Sequence, residues 1–210
     1  MKRIIINICT IILLTACSTG QSRLSSTEQA LINGLSLDES IFLQIKTLGG
    51  SIERLTDVTY GFGPAAENAV VFVTDRNDGE VLLSKVRTIL QGSPYSAYLI
   101  SVLGDMVAIV EDIDQYGYLD VVYTDGINYG LEHEDIIAKY QHWDDQYGLS
   151  LIGASYDWLE AEFQSPPSDW LAFAQEVYAF SPDVVDQGTG DVEALADEMR
   201  NTNTLFLWWD

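Results

Sequence analysis

The stretch AYLISVLGDMVAIV, residues 97–110, contains two apolar runs that are separated by Gly104-Asp105. Short apolar runs rich in β-branched residues are typical of strands, and a Gly-first pair suits the tight turn of a β-hairpin. We therefore predict strands over Ala97–Leu103 and Met106–Val110 that pair in antiparallel fashion.

Regular elements are predicted on both sides of this hairpin. Before it, Ala69–Thr74 is a β-branched run, a turn-forming segment covers 75–79, and apolar residues recur at helical spacing over Glu80–Leu90. After it, Tyr118–Tyr123 is predicted to be a third strand. Glu132–Tyr147 is predicted to be a helix, because four large apolar residues fall within a narrow arc of it: Ile136, Tyr140, Trp143 and Tyr147.

Five further elements complete the prediction. They are a helix over Asp38–Leu48, a strand over Leu149–Ala154, a helix capped by Ser168 that runs to Phe180, a helix capped by Asp191 that runs to Arg200, and a strand over Thr204–Trp209. Strands that alternate with helices, together with a hairpin, indicate the α+β class. We expect one globular domain over residues 31–210, with a single mixed, partly antiparallel sheet and helices packed on it.

The first residues have the pattern of an export signal. Lys2 and Arg3 precede an apolar run over Ile4–Leu14, and small residues lead to Cys17 in the sequence Leu-Thr-Ala-Cys. This resembles the lipobox of bacterial lipoproteins, which implies a signal peptide over residues 1–16 and lipid on the Cys17 thiol. The alternative is an uncleaved membrane helix, but eleven residues of helix reach only about 16 Å of a hydrocarbon core of about 30 Å.

The resemblance to lipoproteins also implies a cellular location. In lipoproteins of this kind Ser18 after the cysteine points to the outer membrane, with the protein facing the periplasm. Residues 17–30 are rich in Ser, Thr and Gln and have no apolar periodicity, so we predict a flexible tether there.

The net charge of −22 is distributed unevenly along the chain. From Ile89 onward the chain contains 23 of its 32 acidic residues but only two basic ones, Lys139 and Arg200. Such a field repels nucleic acid and anionic lipid head groups, so we expect no nucleic-acid partner. It favours a basic protein partner or cations, although acidity can also serve solubility alone.

Several motifs in the second half of the chain are specific enough to indicate kinship. They are TDGINY at 124–129, GASYDW at 153–158, AFSPD at 179–183 with DQG at 186–188, and LWWD at 207–210. On these motifs the chain, from about Val58 to Asp210, resembles the bacterial family called domain of unknown function 4253. The family often has Cys before the Pro-Asp pair, where this chain has Ser181. The resemblance implies no activity.

No motif for a nucleophile, a cofactor or a metal is apparent. The chain lacks a Gly-x-Ser-x-Gly elbow and a Ser-x-x-Lys pair, and an EF-hand beginning at Asp112 fails at Tyr116 and Tyr123, where oxygen ligands are needed. His133 and His142 are nine residues apart on one helix and face opposite sides, so each is most simply solvated. We expect no cofactor and no metal.

Polar and aromatic residues within the family motifs are the candidates for a binding site. Acids beside paired tryptophans are unusual choices for packing, because burying an unpaired carboxylate costs several kcal/mol. The alternative is that Asp183 and Asp186 cap helix ends and turns, while Trp208 and Trp209 alternate between core and surface. The candidates are Asn128, Tyr129, Asp157, Trp158, Asp183, Asp186, Trp208, Trp209 and Asp210.

Three hypotheses follow for function. The first is a lipid-anchored acidic domain of the bacterial envelope that binds a basic protein or peptide. The second is an enzyme that uses carboxylates around Asp157, Asp183 and Asp210, with or without a divalent cation. The third is a structural envelope lipoprotein. Acids that converge in a concave pocket with raised pKa values favour the enzyme, and an exposed patch with an apolar centre favours the binding domain.

Overall fold

A computed structural model of the chain describes residues 23–58, 64–75 and 78–210. The predicted signal peptide, the lipidation site Cys17 and the first part of the predicted tether lie outside the described residues. Within the described ranges, no helix is both long enough and apolar enough to span a bilayer.

A single seven-stranded sheet organises the domain, in the order β1-β2-β4-β3-β5-β6-β7. All neighbouring strands are antiparallel except β3 and β5, which are parallel. The predicted α+β class with a mixed sheet is therefore confirmed. The strands are β1 (Ser51–Arg54), β2 (Val70–Val73), β3 (Tyr95–Leu99), β4 (Met106–Glu111), β5 (Leu149–Ala154), β6 (Trp158–Phe163) and β7 (Thr204–Trp208).

The parallel neighbours β3 and β5 meet at one residue pair only, Leu99 opposite Gly153. A β-carbon at Gly153 would lie 2.5 Å from the carbonyl oxygen of Leu99, so only glycine allows this approach. We call this junction the seam. It divides the sheet into two antiparallel halves, β1-β2-β4-β3 and β5-β6-β7.

Side chains from both faces bridge the seam. From one face Arg87 donates to the carbonyl oxygens of Ala97 and Leu151, at 3.0 and 2.8 Å. From the other face the Tyr118 hydroxyl lies 3.4 Å from the carbonyl oxygen of Leu99 and 3.2 Å from that of Ala154. These groups satisfy strand carbonyls that a continuous ladder would otherwise pair.

Helices cover both faces of the sheet. One apolar core lies between the sheet and α1, α2 and α4, and contains Ile32, Phe42 and Val86. The second and larger core lies under α5 to α8. The helices are α1 (Ser26–Gly34), α2 (Glu39–Lys46), α3 (Leu55–Val58), α4 (Gly79–Ile89), α5 (Gln115–Val122), α6 (His133–Tyr147), α7 (Trp170–Phe180) and α8 (Val192–Thr202), with short 3-10 helices at Pro64–Asn68 and Ile127–Tyr129 and a π-helix at Val184–Thr189.

Most of the predicted elements are present, but the predicted strand over Tyr118–Tyr123 is wrong. The segment belongs to α5, whose first turn is capped by the Asp114 side chain and which ends where Tyr123 adopts a left-handed conformation. Four of its residues are buried, so α5 lacks the polar face that usually identifies a helix in a sequence.

Several element boundaries also differ from the prediction, and three of the differences change the local structure. The strand of the central hairpin ends at Leu99 and a six-residue loop, 100–105, replaces the expected tight turn. The cap of α7 is Asp169, not Ser168, because the Asp169 carboxylate accepts from the Ala172 amide. Helix α1 begins at Ser26, inside the range predicted to be a flexible tether, and its Ile32 is fully buried.

Candidate functional site

A cleft of about 700 Å³ opens at the carboxyl ends of β3 and β5, where the seam ends. Loop 100–105 follows β3 and the loop 155–157 follows β5, so the two half-sheets contribute opposite walls. The remaining lining comes from the first residues of β4 and β6, and from β7, α8 and the π-helix. A crevice outside the carboxyl ends of neighbouring parallel strands is a common place for ligands in α/β sheets.

The wall formed by loop 100–105 is apolar and exposed. Val102 and Leu103 are 65% and 64% exposed, although both side chains are purely aliphatic. Gly104 holds the loop in place with a φ of +71°, and a β-carbon there would lie 2.6 Å from the backbone of Gly79 at the start of α4. The loop therefore presents two aliphatic side chains to the solvent from a fixed position.

The opposite wall is aromatic. Trp158 on β6 and Phe206 on β7 stack with ring centroids 6.2 Å apart, and Trp208 lies next to Phe206 on the same face of β7. Tyr156, which is 51% exposed, stands at the rim. The two walls together form an apolar surface that remains open to solvent.

The charged groups of the cleft are both acidic. Among the described residues that line it, only Asp157 and Glu198 carry a formal charge. Burial raises the pKa of Asp157, and the nearby carboxylates of Asp210 and Asp125 raise it further. The cleft therefore combines an apolar interior with a local excess of negative charge.

Beside the cleft, a buried carboxylate joins three segments of the chain. Asp183 is 2% exposed and accepts hydrogen bonds from the Tyr129 hydroxyl at 2.6 Å, from the Gln187 amide at 2.8 Å and from the backbone amide of Asp210 at 2.8 Å. We call this arrangement the Asp183 latch. It fixes the 3-10 helix Ile127–Tyr129, the π-helix and the residues after β7 relative to one another.

Hydrogen bonds keep the Asp183 carboxyl of the latch ionised. Burial opposes the charged form of Asp183, but the hydrogen bonds from Tyr129, Gln187 and the Asp210 amide lower its pKa below the usual value. The hydrogen bond to Asp183 raises the pKa of Tyr129 to about 12. The satisfied carboxylate of Asp183 thus stays ionised and holds the structure together.

The nine candidate residues fall into separate places. Asp157, Trp158 and Trp208 line the cleft, while Tyr129, Asp183 and Asp210 form the latch. The other three do not join either group: Asn128 is exposed, the Asp186 carboxylate accepts from the Tyr178 hydroxyl at 2.9 Å, and Trp209 is a core residue whose indole donates to the Phe180 carbonyl.

The histidines also differ from each other. His142 is exposed, as expected, but His133 is buried, with its ring nitrogens 2.9 Å from the Thr124 carbonyl oxygen and 3.0 Å from an Asp120 carboxylate oxygen. Within the described ranges no three His, Cys, Asp or Glu side chains are grouped so that they could hold a metal ion.

Of the lining residues that were not identified from the sequence, four contribute most to the walls and the charge of the cleft: Val102, Leu103, Glu198 and Phe206. Val102 and Leu103 were assigned to a strand, so their exposure on a loop was not apparent. Glu198 and Phe206 lie in correctly predicted elements, and the alternation of β7 does place Phe206 on the same face as Trp208. That alternation was the one signal in the sequence that could have identified Phe206 as a lining residue.

Comparison with known proteins identifies one family. The family described as Domain of unknown function (DUF4253) matches residues 106–210, which is half of the chain. The match begins at the first residue of β4, later than the Val58 expected from the motifs. Searches of curated proteins and of solved structures found no match.

Proposed function

We propose, from the premise that this chain belongs to the DUF4253 family, that it is a binding domain for an apolar segment of a basic protein or peptide. The family description carries no activity, so the proposal is based on the site. In this proposal the segment inserts apolar side chains between the two walls of the cleft, and its Lys or Arg side chains meet the carboxylates at the rim.

One observation carries the proposal: the cleft is apolar inside, and the two charged residues among its described lining, Asp157 and Glu198, are both acidic. An apolar centre with a polar rim is the usual anatomy of a protein-binding patch. The net charge of −22 extends the same preference over the whole molecule, because it attracts basic partners and accelerates their association.

The arrangement of the acids gives less support to an enzyme. That hypothesis requires Asp157, Asp183 and Asp210 to converge on a substrate, but Asp183 does not line the cleft and is satisfied by three hydrogen bonds. One observation favours the enzyme, namely the raised pKa of Asp157 in the cleft. A carboxylate-based enzyme is therefore our second candidate, for which loss of turnover in an Asp157→Asn variant is the test.

The proposed location is the bacterial envelope. We propose that lipid on Cys17 anchors the domain to the outer membrane on the periplasmic side, and the support is the leader pattern that ends at Cys17. Mass spectrometry of the mature protein tests this proposal. An unmodified amino terminus at another residue contradicts it, and a Cys17→Ala variant that still fractionates with membranes contradicts it too.

A defined peptide pair tests binding. We expect the acetylated peptide KVKLKVK to bind and to change the fluorescence of Trp158 and Trp208, and EVELEVE not to bind. Affinity should fall as salt is added, since part of the attraction is between exposed charges.

The contribution of the two rim acids is isolated by a matched pair of variants. Asp157→Asn combined with Glu198→Gln should weaken binding about tenfold, which corresponds to about 1.4 kcal/mol. The control, Glu134→Gln combined with Asp145→Asn, removes the same charge from exposed positions on α6 outside the cleft lining and should change affinity much less. Equal affinity for both peptides, or an equal loss in both double variants, contradicts the proposal.

A further inference from the structure

We infer that the segment bound in the cleft is an extended strand that adds to the outer edge of β7 at Phe206. This inference rests on the proposed function and specifies how the basic peptide is held. In such β-strand addition, backbone hydrogen bonds supply affinity and alternate side chains enter the neighbouring pockets.

The register of β7 decides which backbone groups face outward. Strand β7 is an edge strand that pairs with β6 alone. At its two ends the Phe163 amide donates to the Asn203 carbonyl and the Trp209 amide donates to the Asp157 carbonyl. Because pairs alternate along an antiparallel ladder, residues of the same parity as 203 and 209 bond to β6. The amide and carbonyl groups of Thr204, Phe206 and Trp208 therefore point away from the sheet.

Two of these three outward positions are already occupied by side chains. The Ser181 hydroxyl accepts from the Trp208 amide at 2.9 Å and donates to the Trp208 carbonyl at 2.7 Å. The Thr204 amide donates to the Thr202 hydroxyl at 3.3 Å. For Phe206 neither the amide nor the carbonyl has a hydrogen-bond partner among the described residues. The edge is thus closed at Trp208, has its amide occupied at Thr204, and is open at Phe206.

The open position lies in the cleft. Phe206 lines it, and on the other side of the β7 edge the lining comes from Leu195 and Met199 of α8 and from Thr189 of the π-helix. A strand placed here would exchange one pair of hydrogen bonds with Phe206 and would contact these apolar side chains. Its chemistry follows from the charges: Asp157 and Glu198 favour a segment whose outward side chains are basic.

A pair of substitutions at Phe206 separates its backbone from its side chain. Phe206→Val removes the ring but keeps the amide, whereas Phe206→Pro removes both. Proline is tolerated in edge strands where the amide faces outward, so the ladder to β6 remains possible. We expect KVKLKVK to bind the proline variant about tenfold more weakly than the valine variant, since a backbone hydrogen bond is lost and a peptide carbonyl is left unpaired.

Amide hydrogen exchange of the unsubstituted protein provides a second measurement that does not depend on the folding of a variant. Binding of KVKLKVK should slow exchange of the Phe206 amide and leave the already bonded Trp208 amide nearly unchanged. If the peptide binds but Phe206 exchange is unchanged and the two variants have equal affinity, strand addition is overturned while the proposed function stands. If no basic peptide binds the unsubstituted protein, both are overturned.

Discussion

Substitution of Glu28 by Gln is expected to destabilise the domain by an amount that depends on pH in a defined way. Glu28 lies on α1 and is 4% exposed. Its carboxylate accepts from the Lys46 ammonium at 2.8 Å, from the Ile52 amide at 2.8 Å and from the Ser25 amide at 2.7 Å. It therefore links α1 to the last turn of α2 and to β1.

The magnitude follows from the ionisation of this carboxyl. Burial opposes the charged form, but the hydrogen bonds from Lys46, Ser25 and Ile52 prevail and lower the pKa from 4.5 to about 2. Such a change corresponds to about 3 kcal/mol of stability, at about 1.4 kcal/mol per pH unit. Because the pKa is lower in the folded state, the stabilisation is complete above about pH 4.5 and is lost as the pH falls towards 2.

Urea unfolding followed by tryptophan fluorescence at a series of pH values measures the effect. We expect Glu28→Gln to lower the free energy of unfolding by about 3 kcal/mol at pH 7, and the difference from the unsubstituted protein to shrink as the pH approaches 2. The control is Glu39→Gln, an exposed position on α2, which should cost less than about 1 kcal/mol. A difference that is constant from pH 7 to pH 2.5 would refute the reasoning.

Three other substitutions test the seam, the latch and the capped end of β7. Gly153→Ala places a β-carbon 2.5 Å from a carbonyl oxygen of the neighbouring strand and should cost about 1–3 kcal/mol in thermal unfolding, unlike Ala at an open glycine. Tyr129→Phe removes one of three hydrogen bonds to Asp183 and should lower the midpoint of thermal unfolding; before substitution, ultraviolet titration should find one tyrosine with a pKa of about 12. Ser181→Ala leaves the backbone of Trp208 without its side-chain partner and should speed exchange of that amide, and unchanged exchange would contradict the assignment.

The sequence predicted the elements whose residues contrast strongly in polarity. Helix α6 starts one residue after Glu132 and ends at Tyr147 as predicted, because Ile136, Tyr140 and Trp143 are buried on an otherwise polar helix. Strand β5 coincides with the predicted Leu149–Ala154. Helix α5 was mistaken for a strand because four of its eight residues are buried and it offers no such contrast.

The candidate site was predictable only in part, because its geometry depends on contacts between distant residues. Trp158, Trp208 and Asp157 were selected from motifs and do line the cleft. The hydrogen bond between Tyr129 and Asp183 joins residues 54 positions apart, and neither local spacing nor composition reports such a pair. The exposure of Val102 likewise depends on where β3 ends, which the apolar run did not reveal.

The family match and the sheet do not share a boundary. The match starts with β4, yet β3 lies between β4 and β5 in the sheet. Residues 106–210 alone would therefore leave β4 and β5 without the strand that joins them. We conclude that the folded unit includes at least β3, residues 95–99, in addition to the matched region.

The seam also lies directly behind the cleft. A continuous ladder couples two strands by a row of backbone hydrogen bonds, but here the backbones of the half-sheets meet at one residue pair. The remaining coupling comes from Arg87, from Tyr118 and from the two apolar cores, each of which contains residues of both halves. A small rotation of one half against the other therefore breaks no row of backbone hydrogen bonds, and it changes the gap between the aliphatic and the aromatic wall. In the proposed function, this sparse backbone pairing behind the cleft would let the cleft admit bound segments of different thickness.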